Sequence, residues 1–598
     1  MAKTLPKRSE IPVDLTWDLE AIFSTDEEWE KEFNEVKGLI SSLVQFKGKL
    51  SQSAEILYAA LQQQDEITER LGRLYTYAHM RYDQDTTNSF YQGLNDRAQT
   101  LASQVGQAAS FVVPELMSIE KEKIDTFLNE HEPLTLYRHM LDELNKQRPH
   151  VLSEAEESIL AQASEVTSAP SNTFGMLNNA DMTFPTIVNE DGEEVEVTHG
   201  RYLQFLESGD RRVRKDAFQA VYSTYEKYKN TFASTLSSQV KRDLFYANVR
   251  KYKSAREAAL SRNFIPEVVY DQLVSTVNDN LHLLHRYVKL RKRILGVDEL
   301  HMYDLYTPLV KDVEMKISYD EAKELVLKGF APLGESYTNE IRQGYEKRWI
   351  DVVENKGKRS GAYSSGAYGT MPYILMNWQD NIDNVFTLAH ELGHSMHSFY
   401  SRKHQPYPYG DYTIFVAEVA STLNEALLND YMVKNTNKEE EKIYLLNHFL
   451  EGFRGTVFRQ TMFAEFEQLI HEQSADGIPL TPELLSKLYY DLNVKYFGDE
   501  IVIDKEIGLE WARIPHFYYN FYVYQYATGY SAAAALAKQI LEDGAPVVER
   551  YLDFLKAGSS QYPIDILKHA GVDMTSKKPI QEALSLFEKT LDEIEALL

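Results

Sequence analysis

The 598-residue sequence contains no cysteine. A disulfide framework, a thiolate nucleophile and a cysteine-ligated zinc site are therefore excluded. No apolar run approaches the length of a membrane-spanning helix. The first residues, MAKTLPKRSEIPVDLTWDLEAIF, carry charges where a signal peptide needs an apolar core. These absences predict a cytosolic protein with no membrane partner. Basic residues are in deficit: 63 Lys and Arg face 90 Asp and Glu, leaving a formal charge of −27. Such a field repels nucleic acid and anionic lipid, and it keeps a protein soluble. Repeats of fixed period and low-complexity tracts are absent too. What is plentiful is hydrophobic residues, 43% of the chain, so a large core rather than disorder is expected.

The pattern along the chain predicts a mainly α protein. From Glu27 to about Ser164, polar–apolar periodicity of helical type runs between breaks near Gly48, Pro114, Pro133 and Pro149. Residues 183–197 change character: TFPTIV, then NEDG, then VEV predicts a β-hairpin. Helical periodicity resumes at about Thr198. A boundary is expected near residue 200, dividing an N-terminal helical region (1–200) from a catalytic region (201–598). Trp349–Val353 is expected to be a strand and 358–369 a Gly/Ser/Tyr loop. Met371–Trp378 is expected to be a short strand, its proline suiting an edge position that an extended peptide could join.

The most specific stretch is DNVFTLAHELGHSMHSFY, residues 383–400. His390 and His394 stand at i and i+4, so on a helix both imidazoles lie on one face and reach a single zinc ion. Glu391 projects about 100° away, placed to serve as base toward a water on the open coordination position. Val385, Leu388, Leu392 and Phe399 form an apolar stripe beside the histidines, and Asp380 or Asn381 offers an N-cap. Two histidines leave a tetrahedral zinc one protein ligand short. Downstream, IFVAEVASTLNE predicts a second helix with Glu418 and Glu425 at i and i+7, hence on one face. Glu418 is expected as the third ligand, and Glu425 as the partner of a ligand histidine's other N–H. His397, at i+7 from His390, is expected in the core or behind the ligands.

HELGHSMH followed by FVAEVASTLNE resembles the thimet-oligopeptidase family of zinc peptidases. The opening WDLEAIF, the loop KRSGAYSSGAYG and the late segment RIPHFYYNFYVYQYATGY are similar to its bacterial oligoendopeptidase F branch. The resemblance covers nearly the whole chain. It implies a helical body around a deep channel, one Zn2+ per chain on His390, His394 and Glu418, and Glu391 as general base. It also implies oligopeptide substrates cut at internal bonds. It further implies that His516 and tyrosines after it hold the peptide and its oxyanion. Reading backward from Tyr530-Ser531 favours Tyr522 and Tyr524, with Tyr519 and Tyr526 as alternatives. Oligomeric state and cleavage preference are not encoded in any motif.

Overall fold

The computed structural model describes residues 4–310 and 315–598. It is mainly helical, with one two-stranded and one three-stranded sheet among the described residues. No helix among these residues is long and apolar enough to cross a membrane. Two compact units are each assembled from three stretches of chain. One comprises Met1–Pro149, Glu314–Tyr431 and Gln539–Gly571; the other comprises His150–Val313, Met432–Lys538 and Val572–Leu598. Residue 200, where the sequence pattern suggests a boundary, lies inside the second unit. The change from strand to helix there is local. The predicted hairpin forms, with Ile187 opposite Val195. Arg212 of the long helix that follows donates to the carbonyls of Val188 (2.8 Å) and Asn189 (3.1 Å), binding the hairpin to that helix.

In the first unit, helices Asp26–Val44, Ala54–Asp83 and Ser89–Ala109 start where Thr25, Ser53 and Asn88 accept a backbone N–H of the first turn. Their apolar faces close over Trp29, Leu57, Leu74 and Met80, all fully buried. A three-stranded sheet shares this core through Tyr373 and Leu375. Its strands are Ile350–Asp351, Tyr363–Ser365 and Tyr373–Leu375, and the last is central. Ile374 pairs in parallel with Ile350 and antiparallel with Ser364. Two expectations are corrected here. The strand around 373–375 is not an edge: Pro372 precedes it, so the missing N–H removes no ladder bond. Within the expected loop, Tyr363–Ser365 forms an edge strand instead. Buried Asp351 fixes the other edge, accepting from Arg8 Nη1 (2.8 Å) and pairing with Lys358 (2.6 Å).

The second unit contains helix Arg211–Val249, which at 39 residues exceeds every other helix described. Asp210 caps it by accepting from the Arg212 N–H at 2.8 Å. Helix Arg459–Ala475 carries the buried Glu467 and His471, which face Asp243 and Gln239 of the long helix.

Candidate metal centre

Helix Ile382–His404 begins at Asn381, whose Oδ1 accepts from the Asn384 N–H at 2.9 Å. Val385, Leu388 and Leu392 are buried as the stripe predicts, but it continues through buried Met396, with Phe399 half-exposed against Trp349. Arg402, Lys403 and His404 in the last turn complement the helix dipole. Ser395 Oγ lies 2.8 Å from Ser364 Oγ, which ties the helix to the edge strand.

The second helix, Ala417–Asn435, follows a short 3₁₀ turn at Ile414–Val416. It crosses the first in backbone contact at Gly393. A Cβ there would stand 2.5 Å from Ser421 Cα and 2.6 Å from the Ala420 carbonyl oxygen. Glycine is the residue that permits this approach. Asn424, held by the Tyr337 hydroxyl at 3.1 Å, donates to the Ala389 carbonyl at 3.3 Å and fixes the register of the pair.

That crossing brings His390, His394 and Glu418 together. The two Nε2 atoms are 3.1 Å apart, and each lies 3.4 Å from Glu418 Oε2. Donors about 2.0–2.1 Å from a tetrahedral metal stand roughly 3.3–3.4 Å from one another. The triangle therefore has the dimensions of one face of such a tetrahedron. His390 Nδ1 faces Glu425 Oε1 at 2.5 Å. With its proton on Nδ1, His390 keeps the Nε2 lone pair directed at the other two ligand atoms. The three atoms are placed to share one cation, and the two-histidine, one-carboxylate donor set suits zinc.

The electrostatics agree. Burial opposes charge on His390, yet the Glu425 hydrogen bond and the carboxylates of Glu425, Glu418 and Glu391 raise it to about 9. Burial also opposes charge on Glu418, but the hydrogen bond from His394 and the two imidazoles hold it at about 2. Burial pushes Glu391 above the ordinary carboxylate range, with His390 and His394 acting the other way. Three carboxylates beside two imidazoles make a place that favours added positive charge. His397 is not part of it. Its ring stacks on Tyr412 at 3.6 Å in the core, and burial drives it down to about 3.

His516, Tyr522 and Tyr524 belong to the second unit. Two short 3₁₀ helices, Lys505–Arg513 and Pro515–Tyr518, lead to Asn520 and Phe521 at φ +46° and +56°, then to helix Tyr524–Asp543. Left-handed backbone is costly for Phe521 and better tolerated by Asn520. It is held from beneath: Phe521 N–H donates to Glu467 Oε1 at 2.7 Å, and the Phe521 ring lies 4.6 Å from His471. The turn gathers Tyr519, Tyr522 and Tyr526 around His516, with centroids 5.7, 6.2 and 5.9 Å from the imidazole. Tyr524 points elsewhere, buried against Tyr270 at 5.2 Å. Gly393 and Glu467 escaped the sequence reading. Gly393 had a signal in the small residues Ala420 and Ser421 on the facing helix. Glu467 had none, being one helix glutamate among many.

The family model described as Peptidase family M3 matches residues 204–586, and the one described as Oligopeptidase F matches residues 115–184. The chain is 66% identical to oligopeptidase PepF of Bacillus subtilis, over 100% of this chain and 89% of that protein. It is 47% identical to group B oligopeptidase PepB of Streptococcus agalactiae, over 99% and 98%. Among solved structures, oligoendopeptidase-F from Enterococcus faecium is 44% identical with a TM-score of 0.74, covering 96% of this chain and 99% of that one.

Proposed function

The chain belongs to peptidase family M3 and is a metallopeptidase; from that premise we propose that it is a zinc endopeptidase cutting internal bonds of short oligopeptides. The observation that carries the metal assignment is the 3.1, 3.4 and 3.4 Å triangle of His390, His394 and Glu418. When bound there, zinc would act as a Lewis acid toward the scissile carbonyl and the attacking water. Glu391 takes the water proton as the new C–O bond forms and passes it to the amine nitrogen as the C–N bond breaks. Glu425 holds His390 in the tautomer that leaves Nε2 available as a ligand. Donation to the oxyanion is carried over to the tyrosines around His516 on the sequence resemblance alone. Tyr522 is preferred to Tyr524, because it stacks with that imidazole while Tyr524 packs in the interior. Oligopeptides as substrates are supported by the names of the relatives and by the sequence resemblance.

An internally quenched peptide assay with metal analysis tests this. Glu391→Gln should keep one zinc per chain and lose about 10²–10⁴-fold in kcat. Glu418→Ala should lose the zinc. Full zinc occupancy in Glu418→Ala removes that residue from the ligand set. Turnover of Glu391→Gln within about tenfold of wild type removes the general base.

A further inference from the structure

The second unit contains an excess of positive charge that the chain's overall charge of −27 does not suggest. Arg459 donates to both oxygens of Glu510 (2.7 and 3.2 Å), and Arg513 donates to the same carboxylate at 2.9 Å. Arg454 and Arg291 share Glu451, at 2.7 and 2.9 Å. Four guanidiniums thus face two carboxylates, and arginine does not shed its proton to relieve the imbalance. Glu510 has no capacity to spare, since the Tyr489 hydroxyl also donates to it at 2.6 Å. The rings of Tyr306 beneath Arg454 (4.9 Å) and Tyr202 beneath Arg513 (5.6 Å) offset only part of the excess.

Arg454, Arg459 and Arg513 line a cavity of about 20 Å³ together with Glu510, whose oxygens are already engaged, and the rings of Tyr202, Tyr222 and Tyr306. That volume holds one particle of about the size of water. Arg513 Nε is buried and has no hydrogen-bond partner among the described residues. Leaving such a donor unpaired is costly, as is uncompensated charge on arginines whose side chains are mostly buried. We propose that this cavity binds one small monovalent anion of the halide class, held by Arg454, Arg459 and Arg513. Carboxylate and phosphate groups are too large for the space. The site does not depend on the proposed peptidase chemistry.

The test uses the metal-loaded full chain at constant ionic strength, exchanging sodium gluconate for sodium chloride. Chloride should raise Tm by about 1–2 °C for each tenfold excess over its Kd, given the entropy of unfolding a unit of this size. A rise would run against the general salt ranking, in which strongly hydrated organic anions stabilise more than chloride. Crystals grown in bromide should show one anomalous peak among the three arginines. Arg513→Gln should lose most of the chloride response. If that variant does not fold, the wild-type melt and the bromide peak still decide. A Tm that ignores the exchange, with bromide only on the surface or nowhere, assigns the cavity to water and overturns the proposal.

Discussion

The candidate metal-binding helix pair and the segment from Ile514 to Tyr526 both gather polar side chains, but they are held in place by opposite means. The helix pair relies on regular structure: histidines one turn apart, a capped start, and a glycine crossing that leaves no room for a methyl group. The later segment is irregular, with two non-glycine residues at positive φ supported by a buried glutamate. Each has one carboxylate behind the functional groups. Glu425 braces an imidazole, and Glu467 braces a backbone N–H. The difference is that Glu425 is part-exposed beside a charged cluster, whereas Glu467 is fully buried. Glu425 is expected to brace through its charge and Glu467 through an acceptor oxygen alone, and that contrast can be tested.

Among the substitutions that bear on this contrast, the largest effect is expected in the irregular segment. Tyr522→Phe should lower kcat by about 10²–10³-fold with little change in KM, as for loss of one oxyanion donor. Tyr524→Phe keeps the ring that fills the core beside Tyr270 and should stay near wild type. Tyr519→Phe and Tyr526→Phe, from the same ring group, complete the series. If all four variants turn over normally with zinc in place, the ring group only packs and oxyanion donation must lie elsewhere.

Next comes the helix crossing. Gly393→Ala places a methyl carbon 2.5 Å from Ser421 Cα, where no flexible side chain can yield. Separating the helices should cost about 1–3 kcal/mol of stability and spread the ligand triangle. Chemical denaturation together with zinc titration measures both. Unchanged stability and affinity would show that the crossing has slack. Glu425→Gln should be milder. The amide can still accept from His390 Nδ1 but lacks the charge, so zinc affinity should fall about 10–100-fold in a chelator competition. An affinity equal to wild type would demote Glu425 to a surface partner of the imidazole.

The two regions also differ in how much could be read before the fold was known. That His390, His394 and Glu418 come together was legible because helix periodicity turns sequence spacing into spatial spacing, and the Asn381 cap and apolar stripe fix where that helix lies. The hairpin at 186–196 was legible from its turn residues. The central position of Tyr373–Leu375 was not, because a proline just before a strand is indistinguishable in sequence from one at an edge. Domain organisation was hidden as well: each unit draws on three separate stretches, and no local pattern records that. In the tyrosine-rich segment, five tyrosines at short intervals satisfy any spacing rule. Only the left-handed turn at Asn520 and Phe521 separates Tyr522 from Tyr524.

The smallest effect at neutral pH is expected beneath that turn. Burial pushes the Glu467 carboxyl up to about 8 from an ordinary 4.5, with His471 and the Phe521 N–H acting against the shift and Asp243 adding to it. Gln239 donates to Asp243, and Tyr270 closes another side of the group. Between those two values the folded chain holds a proton that the unfolded chain releases. This contribution is fully present below about pH 4.5 and is lost as pH rises through 8. Glu467→Gln stays neutral throughout and keeps an oxygen to accept from Phe521 N–H. At pH 7 its activity should lie within about twofold of wild type, as for a hydrogen bond retained. Above pH 8 it should melt higher than wild type by about 2–5 °C. The metal centre is unaltered by the substitution, so its own titration cancels in the difference. The measurement is Tm against pH from 5 to 9 for both proteins, zinc-loaded. A constant offset across that range would mean that Glu467 is ionised throughout. The strained turn would then be braced by charge, as His390 is by Glu425, and the contrast between the two regions would narrow to one of burial.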